Sequence, residues 1–378
     1  MRLEAPVPAS VLSAIRAPFL ETPAHLFDAP VLQPLGLLLD LAGETLRERL
    51  FVVQGDGPEA CLRPDFTLPA LRAHLQSERL EGRYFYSGHA FRVAPRGTDR
   101  SEEFPQIGVE AFEAGETALA DAEMAALAWR SAIAGGRRDL TLLLGDVGLF
   151  GAFVDALDVA PPLALRLKRA FSTPRRLRAE LDSAVAGVDG GQAAGGRLAS
   201  LLAGLSETEG AGVLEEIWAL AGIEPVGGRS AAEIVHRLAE RAALAAATRL
   251  TPAQADMVRR FLAIAGDPAD SLAAVVGLVG AVSPGLDAAR ADWDRRVTAL
   301  RRAGVPGESL RFSAAFGRAF GYYDGVLFEV RSAALGEDRP VAAGGRYDSL
   351  PARLGASLPT GAVGCMVRPG RAWVGAAE

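Results

Sequence analysis

Leu62-Arg63-Pro64-Asp65-Phe66-Thr67-Leu68-Pro69 opens the stretch whose reading decides the fold, and Phe104-Pro105-Gln106-Ile107-Gly108-Val109-Glu110-Ala111 closes it. Between them lies Tyr84-Phe85-Tyr86-Ser87-Gly88-His89-Ala90-Phe91-Arg92. The order reads as a helix from Phe66 to Ser77, a strand from Tyr84 to Val93, a polar loop from Ala94 to Glu103, and a strand from Pro105 to Phe112. Pro69 is tolerated in a first helical turn, where its missing N–H has no intrahelical partner. In the second strand Gln106, Gly108 and Glu110 alternate with Ile107, Val109 and Ala111, so the two sets face opposite ways. The apolar set packs on helices. The polar set, with a glycine between its long members, predicts a shelf where a small ligand lies against the backbone. Asp65 and Thr67 stand at the helix entrance, and Arg92 stands in the preceding strand. A carboxylate pair, an arginine, an amide and a hydroxyl suit a zwitterion such as an amino acid.

Outward from this stretch, Pro8 to Leu20 reads as an amphipathic helix. Phe51 to Gln54, Gly55-Asp56-Gly57 and Ala60 to Arg63 read as a hairpin. Thr117 to Ala134 is an Ala-rich helix, Leu140 to Gly145 a strand, and Val147 to Leu157 a helix. Residues 161–266 carry Ala, Leu and Arg at helical spacing, broken by glycine clusters such as Gly187-Val188-Asp189-Gly190-Gly191. After a helix from Asp287 to Ala303, short strands return: Leu310 to Ala315, Tyr322-Tyr323, Val326 to Val330, Pro340 to Ala342 and Ala362 to Val367. Gly344-Gly345 reads as a turn, and Arg346 to Leu354 as a helix. Strands, then helices, then strands predict an α+β fold, with one mostly antiparallel sheet flanked by helices. Residues 1–160 and 267–378 form this core, and residues 161–266 a helical insertion.

Composition narrows the function. The 378 residues carry 46 acidic and 40 basic side chains, a formal charge of -6, which argues against nucleic acid as the main partner. Nearly all the positive charge is arginine; the single lysine, Lys168, follows no Gly-rich loop, so a Walker-type phosphate site is excluded. His25, His74, His89 and His236 are scattered without metal spacing, so no metal and no cofactor are expected. Cys61 and Cys365 lie far apart in apolar surroundings, as in a reduced, cytoplasmic protein. Met1 to Leu20 has no continuous apolar core of a signal peptide, and the longest apolar run, Leu272 to Val282, is too short to span a membrane.

Three blocks resemble one family. Leu62 to Thr67, with Phe91-Arg92 through Glu110, resembles motif 2 of the class II aminoacyl-tRNA synthetases in its histidyl form. Gly317-Arg318-Ala319-Phe320-Gly321-Tyr322-Tyr323-Asp324-Gly325 resembles the histidine-specific motif, and Ala343-Gly344-Gly345-Arg346-Tyr347-Asp348 with Gly361 to Gly364 the block leading into motif 3. The resemblance implies that Asp65, Thr67, Gln106 and Glu110 hold the ammonium and imidazole of histidine. It further puts Tyr323 and Tyr347, with neighbouring Tyr322, at the side-chain pocket. Arg92 aligns with the arginine that grips the ATP α-phosphate and the amino-acid carboxylate, and Arg318 with the second catalytic arginine.

The departures carry equal weight. Ala94 replaces the motif 2 glutamate, Gly321 replaces an acidic residue before the tyrosine pair, and motif 3 reads Arg368-Pro369-Gly370-Arg371. No residues remain after Glu378 for an anticodon-binding domain. Histidine groups kept beside eroded ATP groups are similar to the regulatory-subunit branch, the synthetase paralogues that pair with the short catalytic subunit of ATP phosphoribosyltransferase. The resemblance implies a non-catalytic subunit in a hetero-oligomer for the first step of histidine biosynthesis, with free histidine as feedback effector and no tRNA. It also implies a synthetase-like homodimer through Val31 to Leu50. The alternative is a synthetase-like enzyme that forms histidyl-adenylate.

Overall fold

A computed structural model describes the chain apart from residues 1, 43, 56, 187–205, 222–229, 237–248, 281–282, 318–321, 357–359 and 376–378. The chain forms two compact units, Met1–Ala156 with Arg260–Glu378, and Leu157–Arg259.

The first unit is built on a nine-stranded sheet. From edge to edge its strands are His25–Leu26, Gly82–Phe91, Glu103–Phe112, Ala362–Val367, Ala342–Arg346, Val326–Ser332, Leu140–Asp146, Leu310–Ser313 and Ala265–Gly266. Only the pairings of His25–Leu26 with Gly82–Phe91 and of Leu140–Asp146 with Leu310–Ser313 are parallel. A second sheet of three short strands joins Leu32–Pro34, Ala60–Leu62 and Val52–Val53. The mostly antiparallel sheet with flanking helices is the architecture that the order of elements predicts.

One face of the sheet carries the helix Thr117–Ala134, whose alanines present little bulk and let it lie close to the strands Ala342–Arg346 and Ala362–Val367. The helix Pro284–Arg302 packs on it in turn, with Pro284 at its start, where no N–H is needed. A buried ion cluster joins these layers. Asp121 accepts from Arg296 Nε at 3.0 Å and Nη2 at 2.8 Å, and from Arg346 Nε at 2.7 Å. On the other face, the helix Thr67–Gln76 buries Thr67, Leu68, Ala70, Leu71 and His74.

Three local readings change. Gly344-Gly345 is not a turn but part of a strand, with Gly344 opposite Phe328 and Cys365. A Cβ on Gly344 would meet Gly364 O at 2.2 Å and the Phe328 ring at 2.5 Å, so the glycine admits that ring and the neighbouring backbone. Tyr322-Tyr323 lies in a turn outside the ladder rather than in a strand. Ala265–Gly266, read as the end of the helical insertion, is an edge strand of the large sheet, paired with Leu310–Ser313.

In the second unit the helices Pro161–Ala170, Pro174–Ala186 and Glu207–Ala221 follow one another, and Arg166 pairs with Glu180 at 2.7 Å. Leu214, Ala231 and Val235 form a small apolar cluster there. Among the described residues no helix is long and apolar enough to cross a membrane.

Candidate functional site

The strand Glu103–Phe112 is the floor of the site, and its register decides what faces what. Glu110 lies between Tyr84 and Gly364, and Gly108 between Tyr86 and Met366. Both faces of this strand are buried, the polar set as deeply as the apolar one. The glycine shelf is already occupied: a Cβ on Gly108 would stand 2.4 Å from the Tyr86 hydroxyl. The niche therefore serves Tyr86, whose ring stacks on Phe66 at 4.3 Å, and not a ligand. Gly364 plays the same part for Glu110, since its Cβ would lie 1.7 Å from Glu110 Oε2.

Glu110 is 2% exposed and collects three hydroxyls. Its Oε1 accepts from Thr67 Oγ1 at 2.9 Å and from the Tyr86 hydroxyl at 3.3 Å, and its Oε2 accepts from the Tyr347 hydroxyl. Burial pushes its carboxyl up to about 7; the hydroxyl donors pull it back, while neighbouring Asp65 adds to the rise. The phenols of Tyr86 and Tyr347 are pushed well above their usual range, by burial first and then by Glu110.

Beside this cluster Gln106 is 1% exposed, and among the described residues neither its amide oxygen nor its amide nitrogen has a hydrogen-bond partner. A buried amide with neither partner is destabilising by about 1–3 kcal/mol. Arg92, just past the Gly82–Phe91 strand, donates from Nε to Pro64 O at 2.8 Å and holds Nη2 4.0 Å from Asp65 Oδ2.

Asp65, Thr67, Arg92, Gln106, Glu110, Tyr322 and Tyr323 all line one cleft of about 380 Å³, counting space open to solvent. Tyr347 stands behind it, buried, and orients Glu110 from there. Tyr322 and Tyr323 both line the cleft, their rings 4.7 Å apart; Tyr322 is buried in the core cluster and Tyr323 only partly buried against it. Arg318 lies outside the described residues. Sequence reasoning missed Tyr86, Cys365 and Met366, which also line the cleft. The signal for Tyr86 was present: a tyrosine cross-strand from a glycine has room to fold over it. Among the described residues no group of side chains could hold a metal ion.

Arg92 and Met366 are shared with a larger neighbouring cleft of about 1160 Å³. Arg368 and Arg371 line it, and so does Ala94, where the family motif has its glutamate. Arg368 Nη2 donates to Glu4 Oε1 at 2.6 Å, and its guanidinium lies 3.5 Å over the Phe104 ring. Burial lowers Arg371 to about 10, with repulsion from Arg92 and Arg100 acting against Glu4.

Comparisons with known proteins identify the family and the fold. A family model described as histidyl-tRNA synthetase matches residues 26–217 and 210–368. The structure is similar to a solved ATP phosphoribosyltransferase regulatory subunit/histidyl-tRNA synthetase from Bacillus halodurans, at TM-score 0.61 and 21% identity over 97% of this chain and 78% of that one. It is also similar to histidyl-tRNA synthetase from Nostoc, at TM-score 0.59 and 16% identity over 96% and 69% of the two chains. The fold is thus that of the class II aminoacyl-tRNA synthetases. Among curated proteins, the ATP phosphoribosyltransferase regulatory subunit of Mesorhizobium japonicum is 38% identical over 358 residues, 91% of each chain. That of Agrobacterium fabrum is 38% identical over 347 residues, 89% of each. The chain belongs to the histidyl-tRNA synthetase family, in the branch of the ATP phosphoribosyltransferase regulatory subunits.

Proposed function

We propose that this chain is the regulatory subunit of a heteromeric ATP phosphoribosyltransferase, and that its cleft binds free histidine while the catalytic partner chain performs the phosphoribosyl transfer. The observation that carries the reading is the buried, unpartnered amide of Gln106 beside the hydroxyl-bound carboxylate of Glu110, in a chain 38% identical to named regulatory subunits. Histidine supplies what these groups lack. Its ammonium meets Asp65, Gln106 and Glu110, its carboxylate approaches Arg92, and its imidazole lies toward Tyr322 and Tyr323. No chemistry of its own is required of the cleft. Feedback needs only that histidine bind the inhibited arrangement of the complex better than the active one, by about 1–3 kcal/mol.

The subunit acts as a homodimer in the cytoplasm, without tRNA. Support for self-association comes from the small sheet, where Val31, Leu32, Val52 and Val53 are exposed apolar residues. The arginines of the neighbouring cleft favour a second reading, a histidyl-adenylate-forming enzyme; Ala94 in that cleft speaks against it.

Calorimetric titration of histidine into the purified chain and into a Glu110→Ala variant tests the proposal. Binding without ATP, lost in the variant, is the expected result. Histidine-dependent pyrophosphate exchange would favour the enzyme. Absence of histidine binding both alone and with the catalytic subunit present would overturn the sensor.

A further inference from the structure

Among the described residues, the groups packed around the Glu110 carboxylate do not neutralise it. The helix entrance contributes Thr67 and the like-charged Asp65; the neighbouring strands contribute Tyr86 and Cys365. Tyr347 donates from behind, and Tyr322 and Tyr323 face it from the turn before Val326–Ser332. Arg92 points toward Asp65 instead, and among the described residues no cationic side chain lies within ion-pair distance of Glu110. A fully buried carboxylate without a counter-ion holds its proton more tightly than an exposed one. Gln106, unpartnered in the same cleft, marks the space beside it as built for a polar ligand.

We propose that Glu110 holds a proton in the free protein and gives it up to solvent when a cationic nitrogen of the ligand enters the cleft, so that ligand binding is linked to proton release. The step is balanced: the neutral carboxyl and the ligand ammonium go to a carboxylate–ammonium pair, and one proton passes to the buffer. This rests on the histidine reading and adds its pH control. The burial-raised carboxyl, at about 7, sets the range. The share of Glu110 already ionised rises roughly tenfold between about pH 6 and pH 8, so affinity for a permanently cationic group strengthens by that factor.

The test uses the full chain labelled with carbon-13 at the glutamate carboxyls. The Glu110 signal is identified by its loss in Glu110→Gln. Should that variant fail to fold, Tyr86→Phe, which removes one donor, identifies the signal by raising its midpoint. Expected is a carboxyl that titrates near neutrality in the free protein and moves to its ionised position when histidine is added at about pH 6.5. Calorimetry in Pipes and in Tris then reports net proton release. Triazolylalanine, whose ring stays neutral over this range, removes the ligand imidazole from the proton count. A Glu110 signal already ionised at about pH 5, or one still protonated with histidine bound, overturns the proposal and leaves histidine binding standing. No histidine binding at any pH overturns the histidine reading itself.

Discussion

Gly364→Ala is a one-carbon change with a large expected effect. The new Cβ would stand 1.7 Å from Glu110 Oε2, 2.5 Å from its carboxyl carbon and 3.0 Å from Val109 O. Ordinary contact needs roughly 3.3 Å, so the carboxylate has to retreat by about 1.5 Å. A hydrogen bond of 2.9 Å to Thr67 does not survive that movement, nor does the Tyr347 bond on the other oxygen. Two lost bonds at about 1 kcal/mol each, with about 1–3 kcal/mol of overpacking, give a destabilisation of roughly 3–5 kcal/mol. Urea unfolding of wild type, Gly364→Ala, Glu110→Ala and the double variant measures it. Because the collision is with the carboxylate, Gly364→Ala is expected to do much less in the Glu110→Ala background, a coupling of about 1–3 kcal/mol. The reasoning is refuted if Gly364→Ala unfolds within about 0.5 kcal/mol of wild type and binds histidine equally well.

Three further outcomes follow from the same geometry. Gln106→Leu removes an amide with no partner among the described residues, so stability is expected to hold or rise by about 1–2 kcal/mol while histidine binding weakens in calorimetry; a clear loss of stability would show that the amide is already satisfied. Asp121→Ala takes the carboxylate from buried Arg296 and leaves Arg346 with Asp348 alone, and is expected to lower unfolding free energy by about 3–5 kcal/mol, read by urea titration; a loss below about 1 kcal/mol would mean that the cluster is dispensable. Glu110 has its carboxyl raised from the ordinary 4.5 to about 7, so the folded state binds the extra proton between those values. Its contribution to stability is full below about 4.5 and fades as pH rises through about 7, so wild type should lose roughly 3 kcal/mol against Glu110→Gln over that interval; parallel stability curves for the two would contradict the burial argument.

The strands and helices that carry the site were legible because they obey simple periods. Alternation marked Pro105 to Phe112, and the first-turn proline marked the helix after Asp65. What failed were two judgements about glycine, whereas the hairpin read around Gly55 and Gly57 held, with Val52–Val53 antiparallel to Ala60–Leu62. Gly108 looked like a vacancy for a ligand and Gly344-Gly345 like a turn, because a sequence shows the missing side chain and not the atom that fills its place. Those atoms come from the next strand or beyond, Tyr86 over Gly108 and Phe328 over Gly344. The depth of Glu110 and Gln106 was equally hidden, since polar alternation normally signals a solvated face, and only the packing of Tyr86, Tyr322 and Tyr347 over the strand reverses it.

The sheet interleaves early and late parts of the chain, with Ala362–Val367 wedged beside Glu103–Phe112 and Tyr347 reaching back across 237 positions to Glu110. On the ribosome the cleft therefore has no wall on that side until Tyr347 and the strand Ala362–Val367 have emerged. The half-made sheet leaves one edge of Glu103–Phe112 unpaired until that strand arrives, open to pairing with another strand. Completion of the cleft is thus a late event for each newly made molecule.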